Sequence, residues 1–237
     1  MIAILSDIHG NLPALQAVLI AATSLGCNRI ISLGDVVGYY AQPGECIDLL
    51  KAYDALNIMG NHDSYLVCGT NCPRSKVVTE LTDYQRGIVS ADQLQWLAGS
   101  ISSLIEDGNY FTHGGWKDPI EQYLYEVSET DIPPGAINFF TGHTHVQVLL
   151  EFSQQKYCNP GAVGQPRDGN PRAAFAVLSA NDIHLHRIEY DIDQTVFAMK
   201  VAGFPSEYYE NLYIGSQIGG RIDKVQASSN SLKGVGG

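Results

Sequence analysis

The chain has 237 residues, 45% of them hydrophobic and 16% charged, enough to bury a core as one large domain or two small ones and too apolar for a disordered chain. Its 14 Lys and Arg stand against 25 Asp and Glu, a formal net charge of -11, which opposes loose binding to nucleic acid or to an anionic membrane; any phosphate-bearing partner must meet something locally positive. The seven histidines are neutral in that sum and are available as metal ligands.

Ile2 to Leu5 is a short apolar run that stops at Ser6, Asp7 and His9, as a buried strand does when it delivers polar side chains to one end of a sheet. Gly10 turns the chain and Asn11 can cap a helix with Pro13 in its first turn, in which Leu12, Leu15, Val18, Leu19 and Ala22 share one face until Gly26. Ile30, Ile31 and Leu33 predict a second buried strand, ending in Gly34 and Asp35. The spacing is that of one βαβ unit, so two parallel strands place Asp7 and Asp35 at the same sheet edge. Pro43 to Tyr53 reads as a helix and Leu56 to Met59 as a strand that ends in Gly60, Asn61, His62 and Asp63.

Val77 to Ile101 is helical in pattern, with breaks near Gly87 and Ser90. The second half is richer in strand: Asn109 to Thr112, Ile137 to Thr141, Val146 to Phe152, Lys156 to Asn159, Ala173 to Leu178 and Asp182 to Ile188 are the candidates, most bounded by Gly, Pro or Asn. Residues 193 to 202 and 206 to 213 predict closing helices. From Gln226 the chain is too polar to bury, which predicts a domain over 1–225 and a disordered or loosely attached tail over 226–237. Cys27, Cys46, Cys68, Cys72 and Cys158 are an odd number without a secretory leader, so reduced, mostly buried thiols in a cytoplasmic protein are expected. Cys68 and Cys72 have no second Cys or His pair at zinc-finger spacing, and no apolar run is long enough for a membrane span.

Read in order, the strand ends spell Asp7-Ile-His9, Gly34-Asp35, Gly60-Asn61-His62-Asp63, His113-Gly114 and Gly142-His143-Thr144-His145. In an extended segment residues two apart point to the same side, so Asp7 with His9, and His143 with His145, can each present two ligands to one center. Taken singly each piece has an ordinary explanation. Asp7 suits a helix cap, Asp35 and Asn61 suit turns, His113 suits a hydrogen-bonded core position, and the pair His184 and His186, without an adjoining Gly or acid, suits a solvated strand face. Order and number together overturn those explanations. Oxygen and imidazole donors without thiolate fit manganese, iron, zinc or magnesium, and seven donors are about right for two ions that share a carboxylate.

These five blocks, in this order, closely resemble the calcineurin-like metallophosphoesterase superfamily. Ser6-Asp-Ile-His-Gly-Asn11, Gly34-Asp-Val-Val-Gly-Tyr39 and Asn159-Pro-Gly-Ala-Val-Gly-Gln-Pro-Arg-Asp168 are similar to its small bacterial and archaeal phosphodiesterase-like branch. The resemblance spans roughly residues 1 to 190 and implies an α/β (α+β) fold, a four-layer αββα sandwich of two mixed sheets flanked by helices. It also implies two divalent metal ions, one on Asp7, His9, Asp35 and His145 and the other on Asp35, Asn61, His113 and His143, with Asp35 bridging and manganese favoured in vitro. A hydroxide between the metals would attack phosphorus, and His62 would face the substrate, stabilising the transition state or protonating the leaving oxygen.

In the related serine/threonine protein phosphatases an Asp that orients the catalytic histidine, followed by a phosphate-binding Arg, stands where this chain has Gly38 and Tyr39. That departure weakens a phosphoprotein phosphatase reading and leaves His62 without its usual supporter; Asp63 need not face the imidazole. Arg167 and Arg172, in the Gly- and Pro-rich loop after Asn159, are candidates to touch a substrate phosphate. Tyr39-Tyr40, Trp116, and Tyr123 with Tyr125 can stack on a base or pack in the core. The expectation is a metal-dependent phosphoesterase acting on a small phosphodiester, phosphomonoester or nucleotide, with no stable nucleic-acid binding, no membrane partner and no readable oligomeric state. The alternative from another class is a metal-binding scaffold of the same fold.

Overall fold

A computed structural model of the protein describes residues 1–180 and 182–228. In chain order the elements are β1 (Ile2–Leu5), α1 (Leu12–Ser24), β2 (Arg29–Ser32), α2 (Pro43–Ala52), β3 (Leu56–Asn57), α3 (Asn61–Cys68), α4 (Lys76–Ile88) and α5 (Ala91–Ala98). They continue with β4 (Ser103–Glu106), β5 (Asn109–Thr112), β6 (Glu126–Val127), β7 (Asn138–Phe140), β8 (Gln147–Glu151), β9 (Lys156–Pro160), β10 (Ala173–Ser179), β11 (Asp182–Ile188), α6 (Ile192–Val201) and β12 (Gln226–Ala227).

Alternation along the strands decides which side chains face which layer. Ala3 and Leu5 of β1, with Ala173, Phe175 and Val177 of β10, pack under Leu15, Val18, Ile47, Leu50 and Leu97 of α1, α2 and α5. The opposite face sends Ile4, Ile31, Ala176 and Leu178 against Phe111, Phe140 and Cys158 of a second sheet, and this double apolar face forces two sheets to stack. The first sheet has the order β11-β10-β1-β2-β3, parallel from β1 to β3 and antiparallel at β10 and β11. The second has the order β4-β5-β7-β9-β8, parallel through β5, β7 and β9 with antiparallel edges. Both sheets are mixed, and the αββα sandwich is present. Its fourth layer is thin: the outer face of the second sheet, around Phe139 and Tyr157, is covered by Trp116, Leu124, Val127 and Ile132, with a single 3-10 turn at Glu129–Asp131.

Several elements differ from expectation. Gly60 to Asp63 is not only a strand end, because Asn61 already opens α3, whose first turn is capped by the Asp63 carboxylate on the Gly60 N–H. The helical stretch from 77 divides at Val89 and Ser90 into α4 and α5, and Ser90 caps the second through Gln93. Residues 206 to 213 form two 3-10 turns, Ser206–Tyr208 and Glu210–Ile214, where a helix was expected. Gln226 and Ala227 of the expected tail pair in parallel with β6, and the rest of that tail beyond residue 228 lies outside the described residues. Of the five cysteines, all free, only Cys46 and Cys158 are buried; Cys68 is exposed on the solvent side of the short α3. Among the described residues no helix is long and apolar enough to cross a membrane.

Candidate metal centre

The loops that follow β1, β2, β5 and β7 interlock just beyond the sheets. The Asp7 N–H donates to Gly34 O at 3.0 Å, the His9 N–H to Asp35 O at 2.9 Å, and the Gly142 N–H to His113 O at 2.8 Å. The two sheets meet where the His143 N–H donates to Asp7 Oδ2 at 3.1 Å. A Cβ on Gly142 would lie 1.9 Å from Ser6 Oγ, so this close approach requires glycine. Asp7, His9, Asp35, His143 and His145 all hold left-handed backbone, with φ of 54°, 55°, 54°, 65° and 59°. Five non-glycine residues in that region, gathered at one point, are conformational strain imposed by the fold to aim side chains.

Asp7, His9, Asp35 and His145 each offer a donor atom within 4.8 Å of the others, and so do Asp35, His113 and His143. Asp35 belongs to both groups. All six side chains are buried, and Asn61 joins the second group with its Oδ1 3.1 Å from His113 Nε2. Backbone carbonyls set the tautomers: His9 Nδ1 lies 2.8 Å from Val37 O, His113 Nδ1 3.0 Å from Leu33 O, and His145 Nδ1 2.7 Å from Gln165 O. With the proton on Nδ1, the Nε2 lone pairs turn inward. There they face acceptors: His145 Nε2 stands 3.1 Å from Asp7 Oδ1 and from His9 Nε2, and His113 Nε2 stands 3.5 Å from Asp35 Oδ2 and 3.1 Å from His143 Nδ1. Asp7 Oδ1 and Asp35 Oδ2 have no hydrogen-bond partner although both are fully enclosed.

The imidazoles resist taking up the protons that would relieve this crowding. Burial first, and neighbouring imidazoles second, hold His9, His62 and His143 well below the usual histidine range, and burial also lowers His113 and His145. Burial and the charges of Asp63 and Asp7 push Asp35 up, while Asp7 is held low because His145, His113 and His9 outweigh its own desolvation. A closed shell of oxygen and imidazole acceptors in two groups joined by one carboxylate fits divalent cations. The signature of the calcineurin-like phosphoesterase superfamily domain matches residues 1–182.

The chain belongs to the calcineurin-like phosphoesterase superfamily. An uncharacterised protein of Methanocaldococcus jannaschii is 32% identical over 91% of this phosphoesterase and 98% of its own length. A phosphodiesterase of Escherichia coli strain K12, YfcE, is 30% identical over 75% of this chain and 86% of its own. The crystal structure of a metallophosphoesterase from Sphaerobacter thermophilus superposes with a TM-score of 0.78 at 31% identity, covering 90% of this chain and 99% of that one. Membership places the phosphoesterase among metal-dependent hydrolases of phosphoesters.

Around the cluster the phosphoesterase departs from what its motifs alone reveal. His62 is buried beside it, with Nε2 4.0 Å from Asp35 Oδ2, while its backbone N–H donates to Asp35 Oδ1 at 2.8 Å. Among the described residues no carboxylate hydrogen-bonds its ring: Asp63 turns away to accept from Val36 N, Val37 N and Gly60 N, and His62 Nδ1 has no partner. Asp63 is pushed up to about 6 by burial, against the pull of those N–H groups. Gly38 fills the place of a supporting side chain with bare backbone at φ +132°, where a Cβ would stand 2.5 Å from His62 Nδ1 and 2.6 Å from His9 Nδ1. Gln85 of α4, which carries no sequence signal, clamps this loop: it accepts from Gly38 N at 2.8 Å and donates to Gly38 O and Tyr40 O.

Above the cluster lies a cavity of about 650 Å³, reached by Asn61, His62, Tyr39, Tyr123, Tyr125 and Arg167. Tyr39 stands edge-on to His9 with ring centroids 4.7 Å apart, and Tyr123 stacks on His143 at 3.7 Å. Tyr40 and Trp116 are packing residues, the first enclosed with Leu81 and Met199 and the second against Phe139 and Tyr157. Arg172 is exposed and bonded to Asn170, outside the cavity lining. His184 is exposed, whereas His186 is half-buried and stacks on Phe175.

Proposed function

We propose that the protein hydrolyses a small phosphodiester, phosphomonoester or nucleotide at a centre of two divalent ions. One ion is held by Asp7, His9, Asp35 and His145 and the other by Asp35, Asn61, His113 and His143. The observation that supports this is the enclosed shell of facing acceptors, with Asp7 Oδ1 and Asp35 Oδ2 unpartnered and Asp35 common to both groups. The Escherichia coli relative named as a phosphodiesterase supports the same class of reaction.

Bound there, two divalent ions supply Lewis acidity toward phosphoryl oxygens and a nucleophile drawn from water near neutral pH. The protein's own groups do the positioning. Asp35 is fixed through Oδ1 on the His62 N–H, which leaves Oδ2 for both groups. The carbonyls of Val37, Leu33 and Gln165 keep three imidazoles in the tautomer that ligates. His62 borders the cavity, where its neutral imidazole donates a hydrogen bond to the departing oxygen; the rings of His9, Tyr39 and Tyr65, at 4.8, 5.0 and 5.9 Å, hold its plane. The bare Gly38 backbone beside that ring supports this reading over a phosphoprotein phosphatase.

The test is metal analysis joined to hydrolysis of bis-p-nitrophenyl phosphate after chelation and reconstitution with manganese. Two ions per chain and metal-dependent turnover are expected. A fully loaded protein that is inert toward a broad panel of phosphodiesters, phosphomonoesters and nucleotides would overturn the proposal in favour of a scaffold.

A further inference from the structure

The cavity above the metal centre is lined by three arginines, Arg74, Arg167 and Arg221, and by no carboxylate. Three cations are thus gathered at one pocket of a chain with 25 acidic and 14 basic residues. Arg74 and Arg221 are paired at the rim, with Glu121 and Asp223 respectively. Arg167 is different. It is buried, and it forms no ion pair among the described residues. Nε and Nη2 donate to Gln165 Oε1 at 3.0 and 2.7 Å, and Nη2 also donates to Tyr39 Oη at 3.1 Å; Nη1 has no hydrogen-bond partner among the described residues. Asp7 accepts from the His143 N–H through Oδ2, and its Oδ1 faces His145 Nε2 at 3.1 Å. A guanidinium held by neutral acceptors, with donors left over at a cavity wall, is a receptor waiting for an anion, because a buried cation without a counter-charge is otherwise costly.

A phosphoryl group at that centre would be matched by the two divalent ions its residues would hold. Arg167 lies over the Tyr39 ring, its Cζ 5.5 Å from the centroid and Nη2 on the hydroxyl, and the same ring meets His9 edge-on at 4.7 Å. The cavity volume of about 650 Å³ is that of a pocket for a whole organic ligand, and Tyr123 and Tyr125 form a parallel aromatic wall with an interplanar angle of 2°. Resting on the phosphoesterase reading above, we infer that the substrate carries two linked phosphates on an organic body, one at the metals and the second on Arg167. A nucleoside diphosphate or its ester meets this description; a compound with a single phosphate does not.

Competition against bis-p-nitrophenyl phosphate hydrolysis, with titration calorimetry on the same manganese-loaded protein, tests this with three probes: AMP, the α,β-methylene analogue of ADP, and inorganic diphosphate. The diphosphate nucleotide is expected to bind about tenfold or more tightly than AMP, the increment of one additional charge-assisted contact. Arg167→Met should reduce that ratio to about one and Arg167→Lys should leave it intermediate, since lysine keeps the charge without the fork. Equal binding of the two nucleotides by the wild type, or a ratio indifferent to both substitutions, overturns the inference. Inorganic diphosphate binding as tightly as the nucleotide overturns the organic body. If bis-p-nitrophenyl phosphate is not hydrolysed while calorimetry keeps the ratio, the anion site stands and the reaction assignment falls.

Discussion

The floor and the walls of the cavity are built by different rules. On the floor the donors sit in loops that directly follow parallel strands or, for Asn61, at the first residue of α3; neighbouring loops are locked together through their backbones, and the side chains are enclosed. The walls are assembled from residues 39, 74, 123, 125, 167 and 221, segments with no common local pattern, and two of the three wall arginines sit in partly exposed ion pairs. Metal chemistry explains the contrast. Ligand position must be accurate to a few tenths of an ångström, so the floor is placed on rigid strand ends, whereas an organic substrate tolerates a looser frame.

Four experiments probe that contrast, beginning with the strongest expected effect. Asp35→Asn removes the shared anion from both groups and should abolish hydrolysis of bis-p-nitrophenyl phosphate, with metal content falling below two ions per chain. Second, Gly38→Ala forces a methyl group onto His62 and His9 at a backbone φ that disfavours it. The loss in kcat should be about 10² or more, with about 1–3 kcal/mol of destabilisation in denaturant titrations. A Gly38→Ala protein with unchanged kcat would show that the floor tolerates displacement as the walls do.

Gln85→Leu comes third. It strips the clamp from the Gly38 N–H and from two carbonyls, at a cost of about 1–3 kcal/mol for the groups left unpaired. Turnover should drop about tenfold while KM moves little, and a change confined to stability would assign Gln85 to packing alone. The mildest effect concerns pH. Five imidazoles titrate below their unfolded value, so as pH falls under 6.5 the unfolded chain takes up protons that the folded chain refuses. Asp35 and Asp63, raised by burial, oppose this with fewer groups. The melting temperature in chelator should therefore rise from pH 5 to 7, at about 1.4 kcal/mol per pH unit for each proton of difference. A flat or falling profile would mean that the imidazoles are charged in the metal-free fold.

What was legible in the sequence follows the same division. Asp7 with His9, and His143 with His145, are neighbours in the chain, and an apolar run before each announces the strand that aims it. The ends of the central strands were readable for that reason, whereas the sandwich followed only from the resemblance of the five motif blocks to a known superfamily. Gly60-Asn61-His62 has the composition of a turn, and only the capping contact of Asp63 on Gly60 shows that a helix begins there. The acceptors that set the histidine tautomers are main-chain carbonyls of Leu33, Val37 and Gln165, which no side-chain pattern records. Gln85 reaches the site from a stretch read as helix and Arg74 from the segment before it, and neither stretch carries a motif that points to the site. The ladder of β6 with β12 joins residues 126 and 226 through two positions each, too short for any periodicity.

The left-handed backbone at Asp7, His9, Asp35, His143 and His145 has a consequence for how such a protein can change over time. These positions are ones where glycine would relax the chain, and Asp and His are among the non-glycine residues that tolerate them best. A change to glycine therefore trades a ligand for a relaxed backbone, whereas a change to a bulkier apolar residue loses the ligand and keeps the strain, so the routes by which such a site can decay are few.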